Sequence, residues 1–134
     1  MNGRDGDDIL AKVSGAYALS GSNGADTFVI DDQIALEIVT DFIAADGDMI
    51  DLTGLLTSVS DTETRADDDD NVDREVDGFV EAVVPPGSDT IIFSDSNTGD
   101  DNLSDAVQLN GAFVDNTIEI LFDDLNSDSS VDTV

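Results

Sequence analysis

Gly3-Arg4-Asp5-Gly6-Asp7-Asp8-Ile9-Leu10-Ala11 and Gly21-Ser22-Asn23-Gly24-Ala25-Asp26-Thr27-Phe28-Val29 are two copies of one pattern, eighteen residues apart. Both spell G-x-x-G-x-D-x-U-x, where U is a large apolar residue. Residues 12–20 keep the same frame between them, with Gly15 and Leu19 in place but Tyr17 where the aspartate belongs. The chain therefore opens with three nine-residue units, intact, eroded and intact. Glycine lets the backbone turn through positive φ, so the G-x-x-G-x-D segment can curl with its carbonyls pointing inward. The aspartate adds a hard anionic oxygen, and the x-U-x triplet predicts a short strand with its apolar residue facing the interior. Calcium takes about six to eight such oxygens, which flexible loops can supply.

This pattern resembles the RTX-type nonapeptide repeat, in which two units make one turn of a parallel β-roll and alternate loops stack on the same side. The resemblance implies calcium held by Gly3, Asp5, Gly6 and Asp8 in one loop and by Gly21, Asn23, Gly24 and Asp26 in the next. Asp8 and Asp26 would then face each other across one ion. The opposite edge, where Tyr17 offers no carboxylate, is expected to be weak or empty. A pair of ordinary glycine–aspartate turns is the plainer alternative; two matches in phase around an eroded third argue against it.

At 134 residues the chain has room for one domain, or for a repeat stub with one small domain attached. The formal net charge is −28, from 32 acids against Arg4, Lys12, Arg65 and Arg74. Aspartates outnumber glutamates 27 to five, a bias that solubility alone does not require and that suits loops and calcium. Such charge makes nucleic acid or an anionic membrane face an improbable partner. Without cations the chain repels itself and is expected to stay largely unfolded. Histidine and cysteine are absent, which excludes imidazole catalysis, disulfides and thiolate chemistry. No apolar run approaches transmembrane length and no stretch resembles an N-terminal signal peptide, so membrane insertion is not expected. Because Met1 stands against a repeat already in progress, the chain reads as the C-terminal piece of something longer.

Beyond the repeats, Thr27-Phe28-Val29-Ile30 is predicted as the last roll strand, and Glu37-Ile38-Val39-Thr40-Asp41-Phe42 as the next. A turn at Ala45-Asp46-Gly47-Asp48 leads to a strand Met49-Ile50-Asp51-Leu52, whose apolar residues alternate with polar ones. Thr53-Gly54-Leu55-Leu56 closes the unit with a short helical turn. Over residues 21–56 this order looks like the C-terminal target domain of type I-secreted RTX proteins, of the large calcium-dependent adhesin type. Gly24-Ala25-Asp26-Thr27-Phe28-Val29 and Gly47-Asp48-Met49-Ile50-Asp51-Leu52 carry the likeness most strongly. The resemblance implies a further calcium beside the last roll turn, held by Asp41, Asp48 and Asp51. Glu37 departs from the family pattern, which often has aspartate there. For each of these acids, solvation of a strand edge is the alternative role.

Residues 58–70 form an acidic loop that ends in four aspartates, readable as a calcium cluster or as a solvated loop. Val72, Val76, Phe79, Val80 and Val83 fall at helical spacing and predict an amphipathic helix over about 71–84, with negative charge ahead of its first turn. Pro85-Pro86-Gly87 would stop it. Thr90-Ile91-Ile92-Phe93 is a strand, and Asn110-Gly111 after Val107 and Leu109 signals a hairpin. Ile118, Ile120 and Phe122 alternate as a strand, although Ile118, Leu121 and Phe122 would also fit a helix. Residues 123–134 show no core-forming pattern and read as a mobile tail. The expected build is mainly β: a short calcium-binding parallel β-roll over residues 1–30, then a β-rich capping domain over 31–122 with one helix.

No nucleophile–base pair, phosphate loop or redox centre is present, and nothing sets two carboxylates apart in a cleft, so no enzyme is expected. The resemblance implies an uncleaved C-terminal signal read by a type I ABC transporter with its membrane-fusion and outer-membrane components. The tail, ending in Val131-Asp132-Thr133-Val134, is the candidate signal. The expected product is a secreted, extracellular or cell-surface module, monomeric in isolation. An adhesive module that binds a surface or glycan directly through calcium-dependent loops is the alternative.

Overall fold

The computed structural model describes residues 1–11, 18–31, 36–55, 80–83, 89–94, 104–111, 117–123 and 129–133. The strands among them are β1 (Ile9–Ala11), β2 (Ala18–Leu19), β3 (Thr27–Val29), β4 (Glu37–Val39), β5 (Met49–Asp51), β6 (Val80–Val83), β7 (Thr90–Ser94), β8 (Ser104–Leu109), β9 (Glu119–Asp123) and β10 (Ser129–Thr133). They form two five-stranded sheets, ordered β1-β3-β5-β9-β10 and β2-β4-β8-β7-β6. Among the described residues the helical structure is a short 3-10 turn, Ala44–Asp46, ended by Gly47 at φ 94°. The fold is mainly β.

The repeat spacing becomes strand register. Ile9, Leu10 and Ala11 pair in parallel with Thr27, Phe28 and Val29, and Asn2 bridges Ser20 in the same sense. The alternating residues then build the core. Leu10, Phe28, Ile50 and Ile120 lie in one cross-strand row of the first sheet. Leu19, Val39 and Leu109 form the matching row of the second. All seven are buried and belong to one apolar cluster with Ile30, Leu52, Val107 and Ile118. The Phe28 and Phe42 rings meet within it, 6.1 Å apart and tilted by 45°. Burial of this kind stabilises a core by about 1.5–3 kcal/mol per large side chain, and it is what holds such short strands in place.

Later strands continue the same stack. Met49-Ile50-Asp51 pairs in parallel with Glu119-Ile120-Leu121, and Glu37-Ile38-Val39 with Val107-Gln108-Leu109. Strand pairing also crosses the division expected at residues 30 and 31, β2 with β4 and β3 with β5, so the repeats and the segment beyond them share their sheets. An antiparallel set, β6-β7-β8, extends the second sheet.

Three expectations need correction. Val80–Val83, assigned by spacing to the end of a helix over about 71–84, is an edge strand paired antiparallel with Ile91 to Ser94. A four-residue run of valine, alanine and glutamate fits either period, and pairing with β7 decides between them; residues 71–79 and the acidic loop 58–70 lie outside the described residues. Asn110-Gly111 does turn the chain, with Gly111 at φ 113°. It makes no hairpin between β8 and β9, because β9 belongs to the other sheet and runs parallel to β5. The tail expected to be mobile holds β10, Ser129–Thr133, paired antiparallel with β9. Of the two periods open for residues 118–122, the strand holds.

Candidate metal centre

Three aspartates, the two of the pattern and one beyond it, stand just ahead of strands of the first sheet: Asp8 before β1, Asp26 before β3 and Asp48 before β5. Parallel register therefore stacks them. The Asp8 N–H donates to Asp26 Oδ1 at 3.0 Å across 18 residues. The Asp26 N–H donates in turn to Asp48 Oδ1 at 2.9 Å across 22 residues. Asp48 Oδ2 accepts from the Ile43 N–H at 2.8 Å, and Asp8 Oδ2 from the Arg4 N–H at 2.7 Å. Each carboxylate thus binds the backbone of the preceding loop or of its own turn.

Asp26 is fully buried, and its second oxygen, Oδ2, has no hydrogen-bond partner. A buried unpaired carboxylate oxygen is costly and calls for a ligand or a cation. It lies against Gly21, where a Cβ would collide with it. At Gly3 a Cβ would meet Asp8 Oδ2 and the Gly21 carbonyl oxygen, both at 2.7 Å. With no side chain at either glycine, Asp8 Oδ2 and the Gly21 carbonyl oxygen both lie beside Gly3, and Asp26 Oδ2 lies beside Gly21. That donor set fits a hard divalent cation such as calcium. Among the described residues, no three acidic side chains converge into one cluster, so backbone carbonyls would have to complete any such site.

The loops stack as well. Gly6 N–H donates to Asn23 O, and Gly3 N–H to Ser20 O, each at 2.7 Å. Asn23 Nδ2 donates to Asp5 Oδ1 at 2.9 Å. Gly24, at φ 132°, sits directly over Gly6, whose carbonyl carbon and oxygen would be 2.6 Å from an added Cβ.

Asp41 occupies another corner. It accepts from Ser20 Oγ at 2.7 Å, Gly21 N–H at 2.9 Å and Ser22 N–H at 3.1 Å. Ser22 is held at φ 83°, a left-handed conformation that a non-glycine residue adopts at a cost. Asp51 turns back on its own chain, with Oδ1 accepting from Thr53 N–H and Oγ1 at 2.9 and 2.7 Å. The structure thus places Asp48 with Asp8 and Asp26, and gives Asp41 and Asp51 local partners of their own. Glu37 is buried on β4. Two acceptors were not singled out from sequence. Asp7 Oδ1 takes the Ala25 N–H at 3.0 Å, and Asp89 takes the Gly111 N–H and Gln108 Nε2, both at 2.9 Å. The Asp7-Asp8 doublet was the available signal for the first, whereas nothing local marks the second.

Burial pushes the Asp48 carboxyl above the ordinary aspartate value; the Asp26 and Ile43 N–H groups oppose this, and the charges of Asp26 and Asp41 add to it. The stack concentrates negative charge that a bound cation would relieve.

No family model and no curated protein matches this chain. Among solved structures it is similar to the crystal structure of the C-terminal domain (RV) of MpAFP. The TM-score is 0.60 at 22% sequence identity, and the match covers 100% of this chain and 98% of that one. The two chains share a fold over their whole length.

Proposed function

We propose that this chain is a non-catalytic, calcium-binding C-terminal module of the RTX type, which carries a type I export signal and folds when it meets calcium outside the cell. Folding would also cap the repeat array it ends. The observation that carries this reading is Asp26: fully buried, stacked in register with Asp8, and left with one oxygen unpartnered beside Gly21. The fold shared with a domain that is itself described as C-terminal supports it.

Asp8, Asp26 and the Gly21 carbonyl would hold the ion, with further carbonyls of the two loops. Calcium supplies the positive charge that lets these oxygens approach. The rest is done by the chain. At a net charge of −28, the metal-free polypeptide resists collapse and remains threadable through an exporter. With the ion bound, the stacked loops align β1, β3 and β5, and binding free energy becomes folding free energy. Extracellular modules bind calcium at roughly 10⁻⁴–10⁻³ M, a range that separates cytosol from exterior. The ABC transporter, with its membrane-fusion and outer-membrane components, is the proposed partner, and the tail is the segment it would read.

Far-UV circular dichroism of the chelator-treated chain through a calcium titration, with magnesium as control, tests the reading. A cooperative, calcium-specific gain of β signal is expected. A chain already folded in chelator and indifferent to calcium overturns it.

A further inference from the structure

We infer that Asn110-Gly111 is a site of spontaneous covalent modification, succinimide formation with loss of ammonia, and that Asp89 guards it in the folded chain. The pair makes no hairpin between β8 and β9, and Asp89 takes no part in the stack of aspartates.

Asparagine is a thermolabile residue, and a glycine after it leaves no side chain to obstruct attack by the glycine nitrogen. Hydroxide takes the proton of the Gly111 N–H. The nitrogen then attacks Asn110 Cγ, so that an N–Cγ bond forms and the Cγ–Nδ2 bond breaks. The amine leaves as ammonia with a proton from water, which restores the hydroxide. Water opens either carbonyl of the ring and leaves aspartate or isoaspartate at position 110. Nothing is oxidised or reduced. Asn110 and Gly111 are both exposed, so water is at hand.

The fold holds the groups that must move. The Gly111 N–H donates to Asp89 Oδ1 at 2.9 Å, and Gln108 Nε2 fixes the other oxygen of that carboxylate at 2.9 Å. The Gly111 carbonyl accepts from Thr90 N–H at 2.8 Å and from Thr90 Oγ1 at 2.9 Å. On the other side, the Asn110 N–H donates to the Val39 carbonyl at 2.9 Å. Ring closure requires the Gly111 nitrogen to lose its proton and swing over Cγ. The bond to Asp89 opposes the first, and the clamped backbone on either side opposes the second. A carboxylate is too weak a base to take an amide proton, and its charge disfavours the anion that hydroxide would create. The unfolded chain has none of these contacts. Modification at position 110 therefore records time spent without the fold. It adds a negative charge to a chain already at −28. The isoaspartate product also lengthens the main chain by one carbon, just where Val39 and Thr90 grip it.

Two further Asn-Gly pairs, Asn2-Gly3 and Asn23-Gly24, serve as internal references. Other groups hold them, the Ser20 carbonyl at the Gly3 N–H and Asp5 at Asn23 Nδ2.

Peptide-mapping mass spectrometry follows the three pairs in the full chain at mildly alkaline pH, folded in calcium and unfolded in urea, with circular dichroism of every sample. Position 110 should react at least about tenfold more slowly in the folded chain than in urea. In folded Asp89→Ala it should react at least about fivefold faster than in the folded parent, while positions 2 and 23 keep their parent rates. Asp89→Asn keeps an accepting oxygen and should stay near the parent rate. Equal rates at position 110 in the folded and unfolded parent overturn the inference. So does an alanine variant that reacts no faster, or one that reacts more slowly, which would make Asp89 the base. Three positions that speed up together show loss of the whole fold and not of one guarding contact, and an asparagine variant as fast as the alanine one removes the hydrogen bond as the guard; either result overturns it.

Discussion

The Asp26 backbone N–H meets Oδ1 of Asp48 at 2.9 Å, although 22 residues of chain lie between them. The same carboxyl-to-backbone contact joins Asp8 to Asp26 across 18 residues. An aspartate at the end of each loop thus fastens the loop before it, and the change from 18 to 22 shows the contact surviving where the nonapeptide frame lapses. The stack pairs one oxygen of Asp26 and leaves the other buried without a hydrogen-bond partner.

Asp26→Asn separates the two duties of that side chain. The amide keeps an oxygen for the Asp8 N–H and removes the buried charge. In chelator, with an excluded osmolyte such as TMAO added to populate the fold, the variant should therefore melt no lower than the parent. In calcium it should lose about half or more of the stabilisation that binding confers, which is about 2.7 kcal/mol at 100 times Kd. A tenfold weaker affinity would remove about 1.4 kcal/mol of that. Thermal melts with and without calcium read both arms, and equal calcium responses in the two proteins would assign Asp26 a packing role alone.

Backbone conformation predicts a graded set of losses at the loop tips. Gly6 has φ 111° with open space around it, so Gly6→Ala meets conformational strain alone, about 1–3 kcal/mol. Gly24 has φ 132° and faces the Gly6 backbone at 2.6 Å, so Gly24→Ala adds overpacking of a further ~1–3 kcal/mol. Ser22→Gly should act in the opposite direction and stabilise by about 1 kcal/mol, since φ 83° suits glycine. Urea midpoints at saturating calcium should rank Ser22→Gly above the parent, then Gly6→Ala, then Gly24→Ala.

The raised Asp48 carboxyl sets the sign of one pH dependence. Between the ordinary aspartate value and the higher folded-state value, the native chain holds a proton that the unfolded chain has lost. This contribution is fully present below the unfolded value, about 3.9, and is lost as pH rises through the folded one. Stability of the cation-free fold, populated with an excluded osmolyte, should therefore fall with rising pH over that window. Asp48→Asn should flatten the fall, while its NH₂, set against either the Asp26 or the Ile43 N–H, lowers stability at every pH. Denaturant midpoints from the ordinary aspartate value up to neutral pH check this; an unchanged slope in the variant would place the dependence on other groups.

The first sheet was legible because its signals are local. Two in-frame patterns gave the register of β1 on β3, and alternation at Ile50, Leu52, Ile118 and Ile120 gave later strands and their buried faces. What stayed hidden depends on partners distant in sequence. Nothing near residue 49 announces Glu119 as its neighbour, and nothing near residue 37 announces Val107. Val80 and Val83 satisfy a helical period as readily as an extended one until β7 is placed beside them. The tail lacks a pattern because an edge strand can be held through its backbone by β9. At the candidate site, spacing brought out Asp8 and Asp26, whereas Asp48 came from the resemblance, which grouped it with Asp41 and Asp51; neither could show that these oxygens bind neighbouring backbone N–H groups, since that requires knowing which loop lies next to which.

Asp41 offers a test of structural against metal-holding duty. Its carboxylate accepts from Ser20 Oγ, Gly21 N–H and Ser22 N–H. Asp41→Ala leaves three donors without their acceptor and should destabilise by about 1–3 kcal/mol. Asp41→Asn retains one accepting oxygen, turns an NH₂ toward the remaining donors, and should fall between the alanine variant and the parent. If these bonds are the whole of its role, the loss is the same in calcium and in chelator with an osmolyte that populates the fold, because the bonds are made in the folded chain whatever the cation. A ligand would behave differently: its removal would weaken the calcium response beyond the loss seen in chelator, as expected for Asp26→Asn. Denaturation of both Asp41 variants under the two conditions gives the comparison. The three short bonds within one corner favour the uniform loss, with Asp41 fixing the left-handed turn at Ser22 and thereby the position of Gly21 beside Asp26.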